Sequence, residues 1–211
     1  LLAAWTTQEA RSVEWAGLFL PDLDLDDSRS GIPQVISSSE DIDSAAEALG
    51  VSKPIHKPST AEWEAMRSQA SGVVEISAIL ESNEKATKQL ARDYIPNLSM
   101  LVGPLGAARL VVLAGGRERL ARMPSGSLQV LGATGAMAAH RRGAPPPKHS
   151  PVLFSIPLVS RSPRWVRGKV SRFLAGKCSI AVRVDHFDGE PWGDEQIAEI
   201  HREAEAIRDK F

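Results

Sequence analysis

A single cysteine, Cys178, stands among 211 residues. That scarcity excludes an intramolecular disulfide framework and any metal site built on paired thiolates, and it fits a reducing interior. On its own Cys178 reads as a small buried apolar residue. No apolar run approaches the roughly 20 residues that a membrane-spanning helix requires. The N-terminus also lacks the charged and small-residue pattern of a secretory signal. A soluble intracellular protein is expected, cytoplasmic if the source is a prokaryote. The chain begins at Leu1 rather than at a methionine, which is compatible with a further segment upstream. Hydrophobic residues make up 43%, enough to build a real core in one large or two small domains.

Acid is the other scarcity, and it is local. Between Asp93 and Asp185 lie fourteen Lys or Arg side chains and one acid, Glu118. Residues 1–90 hold seven bases and fifteen acids (net −8), residues 91–187 fifteen and three (+12), and residues 188–211 three and eight (−5). The formal net charge of −1 thus conceals a basic module. A phosphate backbone attracts such a face through counterion release, whatever the base sequence. Nucleic acid is therefore the expected partner before any motif is considered.

The periodicities are helical throughout. Residues 2–20 carry Trp5, Val13, Leu18 and Leu20 and stop at Pro21. The stretch from Pro21 to Pro58, with Asp22, Asp24, Asp26 and Asp27, a serine cluster and several prolines, reads as linker-like, with one short helix from about Ser39 to Gly50. Ser59 or Thr60 can cap a long helix reaching about Tyr94, with Glu62 in its first turn and a seam of Trp63, Met66, Ala70, Val73 and Leu80, broken by the polar Ser77 and with Ile76 beside it. The first and third of these helices are expected to pack antiparallel as an arm. Beyond Pro96, with Asn97 or Ser99 as cap, one helix carries Leu101, Leu105, Ala108 and Val112 up to Gly115–Gly116. Short helices follow, punctuated by Pro124, Gly132 and Gly143, then a rigid triple proline at 145–147. Val152–Ile156 reads as a strand or an extended loop. Ser162 and Pro163 are expected to open a helix reaching Phe187. A final helix places Ile197, Ile200, Ala204, Ile207 and Phe211 on one seam. The fold class is all-α, with an arm over 1–94, a compact basic domain over 95–190 and a C-terminal amphipathic helix over 191–211.

Two cationic clusters stand out as candidate sites. The helix after Pro163 bears Arg164, Arg167, Lys169, Arg172, Lys177 and Arg183 with almost no acid between them, so their repulsion goes unrelieved without an anion. The second cluster runs from Arg141 through the prolines to Lys148 and His149. A proline-stiffened loop loses little entropy on binding, and an imidazole can stack on an unpaired base. His140 and His149 beside Lys148 also imitate the acid, base and cation of a ribonuclease, but no acid close in sequence orients either ring. Metal binding by His140, His149 and His186 has no stronger basis. No catalytic residue, metal or cofactor is expected. Gly103, Gly106 and Gly115–Gly116 do not follow a strand and form no phosphate loop.

The order of several short motifs carries more information. Pro96-Asn97-Leu98-Ser99, Gly106-Ala107-Ala108-Arg109-Leu110, Ala114-Gly115-Gly116, Arg122-Met123-Pro124, Gln129-Val130-Leu131-Gly132-Ala133, Pro146-Pro147-Lys148-His149, Arg167-Gly168-Lys169, Ala175-Gly176-Lys177-Cys178 and Ala181 to Phe187 together resemble the Nop domain. That family contains the archaeal and nucleolar scaffold proteins of box C/D guide ribonucleoproteins and a related pre-mRNA splicing factor. Glu14-Trp15 to Leu23 is similar to the first arm helix of the family.

The resemblance implies a non-catalytic RNA-binding scaffold that recognises a kink-turn RNA already held by a small ribosomal-protein-like partner. It implies that Arg122 stands where the family has a lysine approaching RNA, and His149 where a histidine packs on a nucleotide. Arg172 and Arg183 fall on basic positions facing the RNA or its protein, and Lys148, Arg167 and Lys169 join them as candidate contacts. It also implies an arm through which two copies pair. Gly132-Ala133-Thr134-Gly135 departs from the family's Gly-Ala-Glu-Lys, removing an acid and a lysine from the protein interface. The methyltransferase-recruiting domain is missing from these 211 residues, which makes a fibrillarin-type partner doubtful. The rival readings are a protein–protein adaptor with a basic face that binds no RNA, and the histidine-dependent ribonuclease.

Overall fold

A computed structural model describes residues 1–25 and 29–210, so Asp26, Asp27, Ser28 and Phe211 lie outside the described residues. Among the described residues the regular structure is helical, without strands, and the all-α expectation holds. No single helix among them is long and apolar enough to cross a membrane. The chain divides into two units, Leu1–Asn83 and Glu84–Phe211.

The first unit contains α1 (Leu2–Phe19), α2 (Ile32–Ser38), α3 (Ile42–Leu49) and most of α4 (Thr60–Tyr94). The first and third sequence helices share a core in which the expected Val13 and Leu20, with Ala16, join Trp63, Met66 and Ala70, while Leu18, also expected, is exposed. What composition conceals is the middle. The Pro21–Pro58 stretch folds into α2 as well as α3, and buries Leu23, Ile32, Ile36, Ile42, Ala45 and Ala46 in that same core. Pro33 sits in the first turn of α2, where its missing N–H costs nothing. Arg29 closes the connection by forking onto the buried Glu9 carboxylate at 2.7 and 2.9 Å.

Two helix starts in this unit, those of α3 and α4, rest on side-chain caps. Asp41 accepts from the Ser44 N–H at 2.8 Å while Ser44 Oγ accepts from the Asp41 N–H. Glu62 accepts from the N–H and hydroxyl of Ser59, the expected cap of α4. The Ser44 N–H, followed by its hydroxyl, holds the Asp41 carboxyl below the ordinary range. The Ser59 hydroxyl, followed by its N–H, does the same to Glu62. A carboxyl with a depressed folded pKa contributes stability that is complete above its unfolded value, about 4, and lost as pH falls through the folded one. The melting temperature is therefore expected to drop between about pH 5 and pH 3, and Asp41→Asn with Glu62→Gln is expected to flatten that profile. An unchanged profile in thermal melts would remove the caps from the account.

The second unit is organised around α12 (Arg167–His186), which packs against α5 (Pro96–Val102), α7 (Arg117–Ala121), α8 (Ser125–Gln129) and α13 (Asp194–Asp209). Four further helices, α6 (Pro104–Ala114), α9 (Thr134–Arg141), α10 (Pro151–Phe154) and α11 (Pro157–Ser160), complete it. Val170, Leu174, Cys178, Ala181 and Val182 of α12 are fully buried among Leu98, Leu110, Leu120, Leu128 and Leu153. Burial pushes the Cys178 thiol up to about 12, which leaves it an inert core group as the sequence suggests. In α13, Ile197, Ile200 and Ala204 are buried as their spacing predicts.

Three local expectations are corrected. The helix read from Asn97 to Ala114 is two helices bent by 116°. Gly103 between them takes φ +77° and ψ 149°, a conformation open to glycine, and Pro104 starts the next helix. Val152–Ile156 is not extended: Pro151–Phe154 is helical, with Ser150 Oγ accepting from the Leu153 N–H at 2.9 Å. Neither does α12 start at Pro163. The buried Ser162 hydroxyl donates to the Leu158 carbonyl instead of capping, and Pro163 opens a turn that becomes helix only at Arg167.

Candidate RNA interface

One side of α12 is core and the other is cation. Lys169, Arg172, Gly176, Ile180 and Arg183 follow one another at spacings of 3, 4, 4 and 3, a single stripe on a 3.6-residue helix. Lys169, Arg172, Ile180 and Arg183 are exposed, and Gly176 between them is half-buried. From Gly168 to Arg183 the stripe climbs about 22 Å at 1.5 Å per residue.

The proline-stiffened loop joins this stripe at its N-terminal end. Gln129, 8% exposed, donates from Nε2 to the Lys148 carbonyl at 2.7 Å and reaches the Gly168 carbonyl at 3.4 Å. A Cβ on Gly168 would stand 3.4 Å from the Lys148 side chain, so glycine there lets the loop close against the helix. Lys148 therefore lies across Gly168, one helical turn from Arg172. Beside it, Pro145, Pro146, Pro147, Lys148, His149, Arg164 and Arg167 line a hollow of about 420 Å³ with no acid in its wall.

His149 is held in that wall by stacking. Its ring lies 4.8 Å from that of Phe154 at an interplanar angle of 21°. The Arg167 guanidinium sits 5.4 Å from the centroid of the same Phe154 ring. It also donates from Nε to the Ser162 carbonyl at 2.8 Å and from Nη2 to the Ser160 carbonyl at 3.0 Å. Arg167 thus fixes the turn ahead of α12 and carries its charge at the hollow.

At the far end, Arg183 Nε donates to the Ala121 carbonyl at 3.0 Å, tying α12 to the last turn of α7. Arg122, the next residue, caps α7 and meets Glu118 at 3.0 Å one turn back. Both members of that pair are about two-thirds exposed, so it is worth little and is easily exchanged for another anion. Within the second unit the seven candidate residues stand in three groups: His149, Lys148 and Arg167 at the hollow, Lys169 and Arg172 on the exposed side of α12, and Arg183 bonded to the residue before Arg122.

Gln129 and Phe154 were not singled out from the sequence, although both hold the site together. Gln129 lies within the Gln129–Ala133 motif, and Phe154 ends an apolar run, so neither carries a charge signal. Of the remaining histidines, His140 directs Nδ1 at the Ala144 carbonyl, 2.7 Å away, and His186 packs edge-on against Phe187. Among the described residues no cluster of His, Cys, Asp or Glu could hold a metal ion.

Comparison with known proteins identifies the family of the chain. A family model described as "Nop: snoRNA binding domain, fibrillarin" matches residues 25–206. An uncharacterized NOP5 family protein of Methanocaldococcus jannaschii is 43% identical over 125 residues, 59% of this chain and 30% of that one. Nucleolar protein 56 of Mus musculus is 35% identical over 128 residues, 60% of this chain and 22% of that one. The chain therefore spans less than a third of either relative. A solved crystal structure of a fibrillarin/Nop5p complex contains a chain that aligns over 96% of this one and 76% of its own length, at a TM-score of 0.53 and 26% identity. Motif order, helical architecture and a family match across most of the residues agree that the chain belongs to the Nop family.

Proposed function

We propose that this protein is a non-catalytic RNA-binding scaffold of a box C/D-like ribonucleoprotein, recognising a kink-turn type RNA together with the small protein that binds it first. One observation carries the reading: the cationic stripe of α12 runs without an intervening acid into the hollow at His149. In this proposal Arg122, Lys148, His149, Arg167, Lys169, Arg172 and Arg183 form the RNA face. A fibrillarin-type methyltransferase belongs among the partners. The doubt raised from the sequence has no support, because this chain is similar to a chain of a solved fibrillarin/Nop5p complex. Pairing of two copies through the arm completes the assembly.

RNA contact has a measurable signature. Log affinity for a protein-loaded kink-turn RNA is expected to fall linearly with log salt, with a slope of about 0.7 to 0.9 per phosphate neutralised. Arg172→Ala is expected to reduce that slope by about one phosphate's worth and to lower affinity several-fold. A slope that does not change would take Arg172 off the RNA surface. Salt-insensitive binding to the small protein alone would favour the adaptor reading. The ribonuclease reading has little geometry behind it, since neither His140 nor His149 has a carboxylate partner among the described residues.

A further inference from the structure

Of the five tryptophans, four are buried or half-buried, and Trp165 is 70% exposed. An indole carries one of the largest apolar surfaces of any side chain, and Trp165, which makes an interaction of its own, still keeps most of its surface accessible. Its backbone leaves it little freedom to withdraw. The preceding turn is closed by the N–H groups of Val166 and Arg167 on the Pro163 carbonyl, at 2.9 and 3.1 Å. Val166, the next residue, is fully buried, and the Arg167 fork clamps the carbonyls of Ser160 and Ser162. The indole is therefore presented on a fixed base, which keeps the ordering cost of any stacked ligand small.

The surroundings select the ligand. Arg161, Arg164, Arg167 and Lys169 flank Trp165 within four residues on either side, and no acid occurs between Glu118 and Asp185. Arg164, its immediate neighbour, lines the hollow at His149. An apolar protein partner needs no such ring of cations, whereas a single-stranded nucleotide needs both an aromatic face for the base and cations for the phosphates. We propose that Trp165 is a second stacking platform, taking an unpaired nucleobase of the bound RNA next to the site at His149. This rests on the RNA-binding reading of the protein and extends its footprint beyond the start of α12.

The test compares Trp165→Ala, Trp165→Phe and the unaltered full chain on two fluorescein-labelled probes: a protein-loaded kink-turn RNA with unpaired nucleotides, and a fully paired RNA duplex of equal length. Trp165→Ala is expected to weaken kink-turn binding about tenfold, the size of effect that loss of one base–aromatic stack produces. Trp165→Phe is expected to stay within about threefold of the unaltered chain, because any aromatic ring can stack. Duplex binding should not respond to either change. RNA should also quench the indole emission of the unaltered chain more than that of Trp165→Phe. An alanine variant that binds the kink-turn RNA normally overturns the proposal while leaving the RNA-binding reading intact, and equal losses on both probes do the same. Loss of binding to the small protein alone would assign Trp165 to a protein interface and also overturn it. If the unaltered chain binds neither probe, the RNA reading itself fails.

Discussion

Asp185→Ala is expected to destabilise the second unit by about 3 to 5 kcal/mol, the cost of stripping the acceptor from buried donors that have no other partner. The carboxylate projects from the last turn of α12 and is 8% exposed. It accepts from the Asn97 N–H at 2.9 Å, from Asn97 Nδ2 at 2.7 Å and from the Leu98 N–H at 3.0 Å. These are first-turn groups of α5, whose own N-cap, Ile95, offers no side-chain acceptor. Asp185 is thus the cap of a helix 88 residues away in sequence, with its charge set against the positive end of that helix. The network continues, because Asn97 Oδ1 accepts from the Trp192 N–H at 2.6 Å and so holds the approach to α13. Asp185→Asn is expected to cost less, about 2 kcal/mol, since one oxygen remains while an amide N–H₂ replaces the other and faces a donor. Chemical denaturation with the signal assigned to the second unit reads both effects, and for a unit of this size the larger one lowers the melting midpoint by about 10 to 20 °C. A loss below about 1 kcal/mol for Asp185→Ala would mean that water or the chain supplies another acceptor.

This cap shows where the sequence was legible and where it was not. Local signals survived folding: the Ser59–Glu62 start of α4, the Ile197, Ile200 and Ala204 seam of α13, and the exposed Lys169 and Arg172 of α12 stand where spacing put them, whereas Arg164 precedes that helix and Lys177 pairs with Glu203 at 3.0 Å. Each depends on residues within one or two turns of one another. The missed features are long-range. Asn97 and Ser99 looked like caps for their own helix, yet Asn97 serves the Asp185 network and Ser99 Oγ donates to the Ala91 carbonyl. Ser162 and Pro163 made an equally plausible helix start, but burial of Ser162 turned its hydroxyl back to Leu158. Apolar residues in the Pro21–Pro58 stretch were diluted by proline and serine, so their common core emerged only in three dimensions. For the candidate interface, charge gave the cations, the stiff proline loop gave His149, and the Nop resemblance added Arg122. The parts that hold them, Gln129 and Phe154, carry no charge and gave no signal.

The two halves of α12 explain how one helix can organise a core and a ligand face together. Its buried side fixes α5, α7 and α8 around it, and Asp185, the acid in its last turn, is turned inward onto α5. The outward stripe is left with one sign of charge. Opposite charges along that stripe would pair with its arginines and neutralise the field; turning the acid inward preserves it. Arg167 and Arg183 add a second economy of design, since each braces a backbone carbonyl at one end of the stripe while leaving its charge at the surface.

Reversing two charges on that stripe is the largest functional perturbation available. Arg172→Glu combined with Lys169→Glu removes two cations and adds two anions on the exposed side of α12, away from its buried residues. Loss of two phosphate contacts alone corresponds to about 25- to 60-fold in affinity at 0.1 M salt, taking about 0.7 to 0.9 logarithmic units per contact. Repulsion between the new carboxylates and the backbone carries the expected loss beyond a hundredfold. Helix packing beneath the stripe is untouched, so the melting temperature should stay within a few degrees of the unaltered protein, which separates lost binding from lost fold. The same double change on the core side of the helix would unfold it. Equilibrium binding to a protein-loaded kink-turn RNA across a salt series decides the matter, because the affinity gap between the two proteins should narrow as salt screens both attraction and repulsion. A gap that stays constant with salt, or an affinity that survives the reversal, would place the RNA elsewhere on the molecule and leave the cations of α12 as ordinary solvated charges.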